Sequence, residues 1–169
     1  MVLRQFTPAR LRDLVEGAAA VAGQTDLQAI LATTVEIAMD LTGAPHGALG
    51  VVGQHGTLVD FVHAGLDPDI AESIGSPPQG RGVLGVISRE GKTVRLNSVA
   101  DHPDAVGMPQ HHPAMGPFLG VPVRAGPNLF GNLYLTDKDG GFTDEDEALV
   151  EALAMIAVSY THLTLPTIC

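Results

Sequence analysis

The chain has 169 residues, 45% of them hydrophobic and 17% charged, and a formal net charge of −10. That length and composition suit one globular domain with a sizeable core. The acidic balance and nine scattered basic residues exclude an electrostatic surface for DNA, RNA or anionic lipid.

The first helix is expected over 8–22, where Thr7 caps and Pro8 takes the first helical position. Leu11, Leu14, Val15 and Ala18 form its apolar stripe, and Gly23 stops it. Thr25 is expected to open a second helix, with Gln28 placed for a capping box and Gly43 at the end. The period then changes. Residues 47–52 and 57–63 read as strands of a hairpin joined by Gly53-Gln54-His55-Gly56. A Gly/Pro-rich loop at 76–82 leads to a short helix around 83–89, and 92–96 reads as another strand. Residues 97–117 form a long irregular stretch with four prolines and three histidines. Loops of this length in a compact domain are often functional. Strands follow at 118–124 and 129–136, then a helix starting at Thr143 with Asp144, Glu145 and Asp146 near its positive end. The order implies an α+β domain with one antiparallel sheet and helices packed on it.

No leader peptide or spanning segment is legible, and the sole cysteine is Cys169, so no disulfide or cysteine-based metal site forms within one chain. A cytoplasmic location and no membrane contact are expected. Residues 158–169, VSYTHLTLPTIC, break the amphipathic pattern of the last helix. They resemble a translated sequencing-adapter sequence and are read as a tail foreign to the domain. The natural chain is expected to continue past Ala157 differently.

Histidine is the only abundant metal-competent side chain, with seven copies: His46, His55, His63, His102, His111, His112 and His162. His55 lies in a turn; His46 and His63 flank strands; His102 sits in a turn of its own. His111 and His112 lie in an apolar, proline-stiffened loop, and adjacent residues point apart, so at most one faces the core. One neutral imidazole from such a loop can hold a haem iron. With no CxxCH motif, such a haem is non-covalent. Tyr134 is the other notable residue. Phe130, Asn132, Tyr134 and Thr136 are expected to share one face of their strand, and Leu129, Gly131, Leu133 and Leu135 the other. A buried tyrosine needs a partner for its hydroxyl, which a ligand can supply. No nucleophile triad, Walker loop or dinucleotide fingerprint stands out; the Gly80–Gly85 run follows no strand.

The segments HHPAMGPFLGVPVR and LFGNLYLTDKDGGFTDEDEALVEALA are specific. With PHGALGVVG, LVDFVHAGLD, IGSPPQGRGVLGVI and VRLNSVADHPDAVGMP, they closely resemble the first GAF domain of actinobacterial dormancy sensor kinases of the DevS/DosT type. The resemblance spans roughly 25–157, leaving 1–24 as an N-terminal helix and linker. It implies a GAF fold: a central antiparallel sheet, terminal helices on one side, and a lobe of loops and a short helix enclosing a ligand on the other. It also implies haem b, with iron held by the histidine before the proline of HPxM, here His112, and a distal tyrosine at Tyr134. Phe61, Gly82, Met108 and Pro109, within the matching segments, are expected to line the cofactor. Ala114 and Gly116-Pro117 stand where the family has proline and Arg-Thr. Gly50 replaces a glutamate that restricts haem-edge access in some members, implying freer gas entry.

The implied function is haem-based sensing of O₂, CO, NO or redox state. The chain is then a non-enzymatic sensory part of a two-component histidine kinase. A homodimer through the terminal helices and a response regulator reached through a missing kinase region are the implied partners. The alternatives are a non-haem GAF module that binds another small molecule or serves only dimerisation. Cyclic-nucleotide and bilin signatures are missing, as are the cysteines of GAF-type methionine sulfoxide reductases.

Overall fold

The computed structural model describes residues 6–53, 58–69, 83–98 and 116–164. Helix α1 spans Pro8–Ala22, and the Thr7 hydroxyl accepts from Arg10 N, as expected of the cap. Its buried residues, Leu14, Gly17 and Val21, keep helical spacing. A Cβ at Gly17 would lie 2.4 Å from Ile37 Cγ2, so α1 and α2 approach closely there. Helix α2, Leu27–Thr42, is capped by Asp26 and not Thr25. The Asp26 carboxylate accepts from Gln28 N at 3.0 Å and adds negative charge at the positive helix end. The Gln28 side chain makes no capping box and bonds Asp60 of the sheet instead. Gly43 ends α2 at φ 83, a left-handed conformation in which glycine is unstrained.

The strands are β1 (His46–Val52), β2 (Leu58–Ala64), β3 (Val94–Leu96), β4 (Phe118–Ala125) and β5 (Asn128–Thr136). They form one sheet in the order β2-β1-β5-β4-β3, with every pair antiparallel. Helix α3, Val83–Glu90, precedes β3, and α4 runs Asp144–Thr164. The fold is the expected α+β arrangement. β3 ends its pairing at Gly120, so Pro122 occupies a stretch of β4 beyond that partner, where a missing N–H is tolerated.

Alternation sorts the sheet into two faces. Leu49, Val51, Leu119, Val121, Val123, Leu133 and Leu135 join α1, α2 and α4 in the main core. Ile87, Phe118 and Tyr134 form a second cluster on the opposite face, with Ala48, Val94 and Leu96 around it. Strand β5 departs from the expected alternation at one residue. The register slips between Val123 and Arg124, so Phe130 has no opposite partner and packs against the main core. A bulge of this kind inserts one residue and resets the alternation. From Gly131 onward the two faces are as expected.

Helix α4 continues past Ala157 to Thr164. Val158 is buried in the main core, in step with Val150 and Ala154, so the apolar pattern does not break at 158. Phe6, Leu14 and Val21 also belong to that core, which makes α1 part of the packed unit. Among the described residues, no helix is long and apolar enough to cross a membrane.

Candidate functional site

The second face of the sheet carries the chemistry. Cross-strand register aligns His63, Ala48, Tyr134, Gly120 and Val94 in one row. Directly opposed residues of antiparallel strands point to the same side. Tyr134 thus stands on the middle strand between Ala48 and Gly120, neither able to cover it, yet it is only 8% exposed. Its ring packs on Phe118 at 6.2 Å between centroids. Gly120 makes room for α3: a Cβ there would meet Ile87 Cδ1 at 2.3 Å. The next row aligns Phe61, Gly50, Asn132 and Pro122. Phe61 is half-buried on the same side as Tyr134, and its ring lies 6.1 Å from that of exposed His63.

Burial pushes the Tyr134 phenol up to about 12, and the neighbouring Asn132 amide pulls the other way. The hydroxyl therefore stays a neutral donor at any physiological pH. Its alkaline behaviour has a definite sign. From pH 10 the unfolded chain ionises this phenol while the folded chain keeps it neutral, so stability falls as pH rises from 10 to about 12. That loss amounts to about 2–3 kcal/mol. Urea midpoints measured from pH 9 to 12 should decline for the wild type more steeply than for Tyr134→Phe; parallel curves would contradict this environment.

Asn132, 2% exposed, donates from Nδ2 to Ser88 Oγ of α3 at 2.7 Å. Its Oδ1 has no hydrogen-bond partner among the described residues. Sequence reasoning put Asn132 on the Tyr134 face but gave it no role.

A polar knot closes one end of this face. Asp137, at φ 67, accepts from His46 Nδ1 (2.9 Å), Gly116 N (2.8 Å) and Thr136 Oγ1 (2.9 Å), and its own N–H donates to Pro117 O at 2.8 Å. Burial pushes its carboxyl up, but the hydrogen bonds from Gly116, His46 and Thr136 outweigh this and hold it below the usual carboxylate range. His46 is thus engaged with Asp137. Sequence reasoning missed this knot; a lone Asp after a strand carries no signal.

Of the expected site residues, Tyr134 and Phe61 lie on this one face. His112, Met108, Pro109 and Gly82 fall outside the described residues, as do His55, His102 and His111. No group of three or more His, Cys, Asp or Glu side chains suited to a metal ion occurs among the described residues. An open groove of about 530 Å³ lies elsewhere, lined by Val52, Arg124, Phe130, Met155 and Val158, among others, and neither Tyr134 nor Asn132 borders it.

A b-type haem needs a flat apolar surface and few polar groups placed to meet its ligand. Ala48, Phe118, Ile87, Val94 and Leu96 supply an apolar surface, the small Ala48 and Gly120 flank the phenol, and the orphaned Asn132 Oδ1 marks a polar position unmet within the described protein. The chemistry of these described residues is compatible with such a group; His112, which would hold its iron, lies outside them.

The same fold occurs in solved GAF domains. One, from an Acinetobacter phosphoenolpyruvate-protein phosphotransferase, is 19% identical, with a TM-score of 0.76 over 94% of this chain and 95% of that one. A second, from the corresponding Coxiella burnetii protein, is 22% identical, with a TM-score of 0.76 over 90% and 93%. A third, from a Pseudomonas syringae pv. tomato protein assigned as a sensor histidine kinase, is 17% identical, with a TM-score of 0.61 over 92% and 86%. At these identities the likeness speaks for the fold alone. The GAF domain family model matches residues 24–159, and the chain belongs to the GAF domain family.

Proposed function

We propose that this GAF domain is a haem-based sensor of a diatomic gas or of redox state, and the sensory part of a two-component histidine kinase. The observation that carries the reading is Tyr134: a phenol nearly fully buried between two small neighbours, on the face away from the helical core. His112 would hold haem b, and Phe61, Gly82, Met108 and Pro109 would line it. The haem would supply a ferrous centre with one position open to O₂, CO or NO.

Tyr134 would act as a neutral donor at that position. A hydrogen bond to a partly anionic acceptor is stronger than one to a neutral acceptor, so the hydroxyl favours O₂ over CO. A change in this hydrogen bond shifts β5, whose end leads through Asp137 to α4. The terminal helices then carry the signal toward a second copy and a response regulator. In this chain the role is sensory and not enzymatic.

The test is the visible spectrum of the chain supplied with haem. A Soret band that moves under O₂ and CO supports the reading, and failure to retain haem overturns it. Tyr134→Phe should change O₂ affinity by about tenfold and CO affinity by far less. Equal changes for the two gases would remove Tyr134 as the distal donor.

A further inference from the structure

We propose that Arg95, together with Thr93, couples the two sides of the sheet: β3 carries a change on the Tyr134 face to the first turns of α4 on the opposite side. Its use in signalling rests on the reading of the Tyr134 face as the sensor site; the coupling itself does not.

Strand β3 has few anchors of its own. It is three residues long, lies at the sheet edge and has β4 as its one neighbour. Its side chains alternate between the faces. Val94 and Leu96 pair with Gly120 and Phe118 and pack beside Ile87, Phe118 and Tyr134. Arg95 pairs with Leu119, a residue of the main core, and so points to the helical side. Thr93, two residues earlier, reaches the same side.

There, both residues hold α4. Arg95 bridges two carboxylates, with NH2 2.6 Å from Asp144 Oδ1 and NH1 3.2 Å from Glu147 Oε2. Thr93 Oγ1 donates to Glu151 Oε1 at 2.7 Å. Spacings of three and four residues put 144, 147 and 151 along one face of the helix, over about 10 Å. The three acids form a stripe, and β3 grips it lengthwise. One exposed ion pair holds little. Arg95 and Glu147, however, are 34% and 32% exposed, partly shielded from water, and a grip at three points resists both sliding and tilting. Without Arg95 the three like charges repel one another at helical spacing.

The same strand thus sends apolar side chains into one face and polar ones onto the helix of the other. Helix α3 adds weight to the first side, since Ile87 belongs to that cluster and Ser88 Oγ accepts from Asn132 of β5. Close packing passes a displacement of the cluster to Val94 and Leu96. β5 is paired on both edges and β3 on one, so β3 yields first, and Arg95 takes the movement to α4.

The experiment reads amide hydrogen exchange at 148–151 in the whole chain, with Leu133 and Leu135 of β5 as the reference for global opening. Without haem, Leu96→Ala, which trims the Tyr134-face cluster, should speed exchange at 148–151 by about two- to fivefold over that reference. Arg95→Met should do the same, and the double variant should be no faster than the faster single one. Single effects that multiply in the double variant, or no effect of Leu96→Ala on α4, overturn the coupling. If Leu96→Ala does not fold, Val94→Ala takes its place under the same criteria. With haem supplied, exchange of O₂ for CO should change the rates at 148–151 in the wild type. The change should be at least about threefold smaller in Arg95→Met, with the Soret band and its CO shift kept. An equal response in the two proteins, or none in the wild type, overturns the role in signalling. A wild-type chain that retains no haem overturns the proposed sensor function, and the rates without haem still decide the coupling.

Discussion

Replacing His112 by Ala should abolish haem retention, lowering apparent affinity more than about a hundredfold. The size of the effect follows from there being one proposed protein ligand to iron, so its loss has no substitute. The other histidines near the site argue the same way. His46 has Nδ1 committed to Asp137 Oδ2 at 2.9 Å. His63 shares the Tyr134 row but is exposed and two strands away from Tyr134, beyond β1. His63→Ala should therefore keep haem, which makes it the matched control. Both proteins would be reconstituted with haem, passed through a desalting column and compared by Soret absorbance per polypeptide. Full retention by the His112 variant, or loss only in the His63 variant, would move the ligand elsewhere.

The largest effect on folding should come from Asp146→Ala, at about 2–4 kcal/mol. Asp146 is fully buried and serves several partners at once. It forms a reciprocal cap with Thr143: Thr143 N donates to Asp146 Oδ2 at 2.9 Å, and Asp146 N donates to Thr143 Oγ1 at 3.1 Å. Lys138 Nζ bonds the same carboxylate, and Arg10 NH2 stands 3.6 Å from Oδ1. Loss of the cap costs about 1 kcal/mol. Loss of the charge strands Lys138 and Arg10, but these are 18% and 31% exposed, so water limits that part. Asp146→Asn keeps the shape and an acceptor and should cost less. Thermal unfolding should show the Ala variant about 4–16 °C lower. A midpoint within a degree of wild type would mean the cluster adds nothing.

Much of this architecture is legible in the residues themselves. Thr7-Pro8 and Gly43 carry local signals, and the helices they bound lie where those signals place them. Asp26 was harder to read because it competes with Thr25 one residue earlier, and only the folded position of Gln28 against Asp60 separates them. The bulge at Phe130 is invisible to alternation, because it depends on how Val123 and Arg124 pair across the hairpin. Tyr134 was legible as a residue on the face away from the leucines. Its neighbour Asn132 was not, because the bond that distinguishes it is to Ser88, 44 residues away in the chain. Asp137 and Asp146 look like ordinary surface acids in a string of Asp and Glu; donors 91 and 21 residues away set Asp137 apart, and full burial sets Asp146 apart.

The buried Asp146 has a mechanical consequence. Arg10 near the start of α1 bonds Glu145, reaches Asp146 at the start of α4, and also bonds the carbonyl of Leu41 at the end of α2. Lys138, two residues past β5, closes the same cluster. Three helices and the central strand thus share one fulcrum, and α4 is a beam of 21 residues fixed at that end. Such a helix is about 32 Å long, so a tilt of about 5° at the fulcrum displaces its far end by about 3 Å. Because α4 is packed in the main core as far as Val158, such a tilt would also have to repack that core.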